Sequence, residues 1–283
     1  MDGFPNDLEV GVVQDHADRM SEDRLRALLD VTDLDATEKR LQDAPAGETM
    51  DAGRAEVVSQ LARVELWRGR LEAAHSLLDQ AHGLAGNDGA ANARILLERG
   101  RVLRRSDSDA VALRLFEQAF EAALAAGQHF MAGDAAHACA LAGDMVAWTD
   151  RGLEVADRYE AAAYWRGTLL INLGEWQWER GAFEDSLSTF RAALGAREQE
   201  TRNPFLTEHA RHGLARTLRS LGGSSEAVPL LERAVQWAEQ NSLRGPEADE
   251  LFDELAAAYD DVGRNADATA VRIARANSTL AAE

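Results

Sequence analysis

The sequence predicts an all-α solenoid of about six antiparallel helix pairs. Three observations carry this expectation. The composition favours the helix formers Ala, Leu, Arg and Glu, with only five prolines and three tyrosines, and period-two strand patterns are nearly absent. Large and small residues alternate at helical spacing in one segment after another. A glycine separates the two halves of most of these segments, where one helix must end and the chain reverse.

In chain order, residues 1–20 are expected to lack order, as termini often do. Residues 21–51 contain SEDRLRALLD and LDATEKRLQDA, read as two short amphipathic helices with Ser21 as an N-cap. DAPAGETMDAG then leads into an array over residues 52–283. In the first pair the turn is Gly69, and the second helix carries Leu71, Ala74, Leu78 and Ala81. The next pair has Gly100 and Leu103, followed by Ala112, Phe116 and Ala119.

A degenerate third copy turns at Gly143 and has Trp148 where the others place a small residue. The clearest copy runs through Leu170, Leu173, Gly174, Gly181, Phe183, Ser186, Phe190 and Ala193. A fifth uses Leu214, Ala215, Leu218, Gly222, Ala227, Leu231 and Ala234, and a sixth Leu255, Ala256, Tyr259, Gly263 and Ala268. The alternation has a packing reason: a small residue on each helix lets two axes approach while large ones fill the ridges beside it. Arg272 and Arg275 replace apolar residues in the last copy, which suits a capping helix whose outer face meets water. Asn203-Pro204 and Gly245-Pro246 mark helix starts, and Pro229 is expected near a first turn, where a missing N–H costs least.

These residues resemble the tetratricopeptide repeat family, whose signature is a Leu-x-x-Gly/Ala pair, a turn glycine, and an Ala, an aromatic and an Ala on the second helix. The resemblance implies a right-handed superhelix with the first helix of each pair lining a concave face. From Ala74 through Ala112, Trp148, Ser186, Ala227 and Ala268 the steps are 38, 36, 38, 41 and 41 residues. These exceed the 34 or so usual for the family, and in this the chain is similar to members with longer repeats, such as the kinesin light chains.

Charge narrows the choice of partner. The sequence holds 49 acidic against 30 basic residues, a net charge of −19, and Lys39 is its only lysine. Such a chain repels phosphate backbones at long range, so neither nucleic acid nor an anionic membrane is expected as a partner. Cys139 is the sole cysteine, which excludes a disulfide framework and a thiolate cluster. No leader-like segment and no run of about 18 apolar residues occurs, and a cytoplasmic location is expected.

The non-packing positions of the first helices are basic in an acidic protein. They carry Arg63, Arg94, Arg101, Arg104, His137, Asn172, Glu175, Trp178, His209, His212, Arg216 and Arg219. Arginine's planar fork binds carboxylates bidentately, so an acidic segment or a C-terminal carboxylate is the implied ligand. The competing reading is that these arginines pair with Glu and Asp on neighbouring helices. Asn172 stands before Leu173-Gly174, as an asparagine does in peptide-binding members of the family, where it holds the ligand backbone. The lysines of the chaperone-binding carboxylate clamp are missing.

Trp178 is expected to face the groove, with Trp165 and Trp176 packing. His209 and His212 share a helix face but have no third ligand nearby in sequence, HExxH is absent, and GGSS at residues 222–225 lacks the lysine of a phosphate-binding loop. No metal, cofactor or catalytic residue is assigned. The expected function is a non-enzymatic scaffold holding a peptide or protein segment. The alternatives are a peptide-responsive bacterial sensor and, more remotely, an enzyme or metal-binding protein on the same array. Self-association through a terminal helix to form a homodimer is a further option.

Overall fold

The computed structural model describes residues 25–44, 50–106, 108–200 and 203–280. Thirteen α-helices and no strand occur among them. The chain divides into two compact units, one ending at Trp165 and the other starting at Arg166. The N-terminal unit contains α1 (Leu34–Asp43), α2 (Asp51–Trp67), α3 (Leu71–Ala85), α4 (Gly89–Arg104), α5 (Asp109–Ala125), α6 (His129–Ala142), α7 (Met145–Arg158) and the start of α8 (Ala163–Glu179). The C-terminal unit holds the rest of α8 with α9 (Phe183–Gln199), α10 (Pro204–Ser220), α11 (Ser224–Gln240), α12 (Pro246–Asp261) and α13 (Asn265–Leu280). From α2 onward the helices form six pairs, each first helix packed on the second.

The repeat residues do what their sizes demand. Ala74, Leu78 and Ala81 of α3, Phe116 and Ala119 of α5, and Leu231 and Ala234 of α11 are buried. Phe116 lies against Gly100 of α4, and a Cβ at that glycine would overlap the ring. Turn residues Gly181 and Gly222 have φ of 72° and 80°, a left-handed conformation that ends one helix and opens the next at little cost only for glycine. Gly143 is different: its φ is −145°, and Asp144 caps α7 by accepting from the Ala147 N–H at 3.0 Å. Trp148 is buried and meets Phe120 of α5 edge-on, with ring centres 5.4 Å apart.

Two local expectations change. Of SEDRLRALLD, the described part forms only a 3-10 turn at Arg26–Leu28, and Leu29 is extended. The Asp30 N–H bonds the Thr37 hydroxyl at 2.8 Å, and that hydroxyl bonds the Asp30 carbonyl at 2.9 Å, so local polar groups turn the chain before α1. Pro229 lies inside α11, beyond its first turn, and therefore removes one internal helix hydrogen bond. Residues 1–20 and Ser21 fall outside the described residues. Pro204 and Pro246 do stand at the starts of α10 and α12, and among the described residues no helix is long and apolar enough to cross a membrane.

Candidate functional site

The predicted groove residues fall into two sets, one in each unit. In the N-terminal unit a cavity of about 680 Å³ opens between the ends of α2 and α4, the length of α6 and the start of α8. Pockets of this size accommodate drug-sized or short peptide groups. Five arginines line it: Arg26, Arg63, Arg101, Arg104 and Arg105. Its one lining carboxylate among the described residues is Asp134, and Phe116, Phe130 and Trp165 supply apolar walls. Arg101 and Arg104 occupy the last turn of α4, where positive charge complements the helix dipole.

The floor of the cavity is a bridged ion cluster. Glu98, 1 % exposed, accepts from Arg63 Nε at 3.0 Å and Nη2 at 2.5 Å, from Arg101 Nη1 at 2.7 Å and from Gln60 at 3.4 Å. Arg101 also gives its other terminal nitrogen to Asp134 at 2.5 Å, while Arg63 stands 3.7 Å from the second Asp134 oxygen. Burial pushes the carboxyls of Glu98 and Asp134 up, against the pull of Arg63. Two arginines thus share two buried carboxylates, and Arg26, Arg104 and Arg105 remain as additional positive charge on the walls.

Arg104 and Arg26 have neighbours of their own. Arg104 donates to the Leu141 carbonyl at 3.1 Å, capping the end of α6, and lies 3.7 Å from Asp109. The Arg26 guanidinium sits 3.6 Å from the Tyr164 ring centre and 5.4 Å from that of Phe130, a cation–π arrangement. His137 stacks on Trp165 with centres 5.4 Å apart, and burial lowers its pKa, so it is neutral at pH 7. Trp165 reaches this position because Gly133 of α6 has no side chain to obstruct it. Arg94 does not line the cavity: it is buried on α4, 3.7 Å from Glu56 of α2.

In the C-terminal unit the expectation of a basic face needs correction, because α12 supplies acids. Arg216 of α10 bonds Glu175 of α8 and lies 3.2 Å from Glu250. Arg219 bonds Glu254 and lies 3.1 Å from Asp261. Alongside, Arg219 and Arg275 face Asp249, Glu250, Asp253 and Glu254 in a shallow cleft. Positive charge is fully matched there.

Trp178 is half-buried, donates from Nε1 to Ser220 Oγ at 3.0 Å and lies under the Arg216 guanidinium at 4.0 Å, so it is engaged within its own unit. His209 stands 3.6 Å from Glu175. Burial, with Arg216 and His209 adding to it, pushes His212 down to about 4. Asn172 is half-buried on α8. Among the described residues no three His, Cys, Asp or Glu side chains come together in a metal-holding arrangement. Cys139 is fully buried and its thiol is pushed up to about 12 by burial, consistent with a packing residue.

Sequence reasoning missed Arg26, Arg105, Glu98, Asp134 and the aromatic wall of Phe130 and Trp165. One signal was available: Glu98 precedes Arg101 by three residues, and Asp134 precedes His137 by three, a spacing that pairs charges on one helix face.

No family model and no curated protein sequence matches the chain. Its fold is shared by solved helical-repeat structures. BtubC from P. vanneervenii aligns with a TM-score of 0.56 at 14 % identity, over 79 % of this chain and 94 % of that one. A signal-transduction ATPase with numerous domains and a tetratricopeptide repeat sensor, from Pyrococcus horikoshii, gives 0.68 at 15 % identity, over 88 % of this chain and only 40 % of that one. The apo quorum sensor NprR from B. thuringiensis gives 0.54 at 11 % identity, over 88 % and 83 %. At these identities the likeness establishes a tetratricopeptide-type helical repeat fold.

Proposed function

We propose that this protein is a non-enzymatic interaction scaffold whose N-terminal unit takes an acidic peptide or protein segment into its arginine-lined cavity. The observation that carries the reading is the charge of that cavity: among the described residues, five arginines line it against one carboxylate, Asp134, in a chain of net charge −19. Guanidinium groups beside aromatic walls suit a ligand that presents carboxylates together with some apolar surface. The groove residues of the C-terminal unit are assigned a structural role instead, holding α8, α10 and α12 together.

The test is titration of the full chain with a fluorescein-labelled hexaglutamate peptide. Arg104 and Arg105 are varied, because neither holds the buried Glu98. Saturable binding that weakens about tenfold or more in Arg104→Glu/Arg105→Glu and falls with added salt supports the reading. Equal binding of hexaglutamate and hexalysine, or affinity untouched by the double reversal, sinks it.

A second reading, a peptide-responsive sensor, draws on the fold likeness to NprR and to the repeat-sensor ATPase. It is checked by thermal shifts with a panel of short peptides. A shift confined to particular sequences, independent of their charge, favours the sensor over the acidic-segment scaffold.

A further inference from the structure

Resting on the acidic-segment reading, one feature of the cavity defines how such a ligand enters. Of the two carboxylates bridged by Arg63 and Arg101, Glu98 is the deeper, held by three donor side chains. Asp134 lines the cavity itself, is held at 2.5 Å by Arg101 and stands a longer 3.7 Å from Arg63. The same arginines are the innermost cations of the cavity. A ligand carboxylate reaching them meets a position already occupied by this chain's own carboxylate.

We propose that Asp134 is a built-in stand-in for the ligand: a carboxylate of the partner replaces Asp134 on Arg101 and Arg63, and the displaced Asp134 takes up one proton from solvent. Burial favours this second half. With Glu98 and the ligand both held by Arg63 and Arg101, a displaced Asp134 that stayed ionised would be a buried carboxylate with no guanidinium bonded to it, whereas protonation removes that cost.

The groups facing Asp134 are Arg26 ahead of α1, Arg63 of α2, Arg94, Glu98 and Arg101 of α4, and His137 of its own helix. Glu117 and Arg151, from α5 and α7, act at Cys139 instead, and α8 contributes the aromatic rings of Tyr164 and Trp165. Burial already favours the neutral acid. Losing Arg101 to a ligand moves Asp134 further that way. The complex therefore binds more protons than the free protein, and affinity rises as pH falls.

The experiment is calorimetric titration of the full chain with hexaglutamate at pH 6.5, in ACES and in imidazole. The two buffers differ in ionisation heat and so report the protons exchanged. The expected result is net proton uptake on binding, of at most one proton per peptide, with affinity rising as pH falls from 8 to 6, a range in which the peptide stays ionised. Asp134→Asn should bind several-fold tighter, with negligible uptake and a flat pH profile, while His137→Gln keeps the uptake. Binding without proton uptake by the unaltered protein, or uptake that persists in Asp134→Asn, overturns the stand-in role and leaves the scaffold reading standing. Absence of any hexaglutamate binding removes both.

Discussion

Phe190 of α9 lies so close to Gly213 of α10 that a Cβ on Gly213 would overlap its ring, and the same ring presses on Gly174 of α8. One fully buried phenylalanine therefore joins three helices of the C-terminal unit through two glycines. Gly213→Ala forces that ring or a backbone to move and should cost about 1–3 kcal/mol. Gly195→Ala, on the same α9 but with open space at its Cβ, should stabilise by about 0.5–1 kcal/mol. Urea denaturation of the two variants checks both signs.

Glu98 should matter far more than an exposed acid with similar geometry. It is buried beneath Arg63 and Arg101, and Glu98→Ala leaves the two guanidiniums only Asp134 to share, at a cost of about 3–5 kcal/mol. Glu121 pairs with Arg151 at 2.7 Å, yet both side chains are largely in water. Glu121→Ala should stay within about 1 kcal/mol of the unaltered protein. Comparing the two midpoints tests whether the cavity floor is as tightly coupled as its distances imply.

Arg216→Ala should leave hexaglutamate affinity unchanged, because Glu175 and Glu250 already neutralise that guanidinium. The variant still has a visible effect. Trp178 loses the guanidinium lying over its ring, so tryptophan emission should shift. An affinity loss equal to that of the cavity arginines would return the C-terminal unit to the binding surface.

His212 gives the C-terminal unit a specific acid sensitivity. Its folded pKa is pushed down to about 4 by burial and by Arg216 and His209, while the unfolded chain takes up the proton near the ordinary value of about 6.5. The unfolded state thus binds more protons between those values. Stability from this residue is complete above about pH 6.5 and is lost as pH falls towards 4, by about 3 kcal/mol in total. His212→Gln should show a shallower decline over that window in pH-dependent denaturation.

The helix pairs were legible because their cause is local. Gly69, Gly181, Gly222 and Gly263, all placed at turns from spacing alone, have positive φ, and Ala74, Ala112, Phe116, Phe190, Ala227 and Ala268 of the second helices are buried. The third turn was read correctly in place, although Gly143 adopts no left-handed conformation. The binding face was legible only in part. Arg63, Arg101 and Arg104 could be assigned to a face by period, but their neutralising partners come from other helices: Arg101 meets Asp134 33 residues away, and Arg219 meets Glu254 35 residues away. Which acid lies opposite which base depends on how successive pairs are stacked, and no single helix pattern encodes that. Arg26 was invisible for the same reason, since its contact with Tyr164 joins the start of the described chain to α8.

The turn at Gly181 carries one more consequence. Nothing lies within 4 Å of the place where an L side chain's Cβ would stand, yet φ is +72°. Room is therefore not what excludes other residues there; handedness is. A D-alanine introduced by semisynthesis has its favoured backbone conformation at this φ, so the mirror-image residue should be tolerated where natural alanine is strained. The reversal between α8 and α9 is a chirality filter, and glycine passes it because it has no hand.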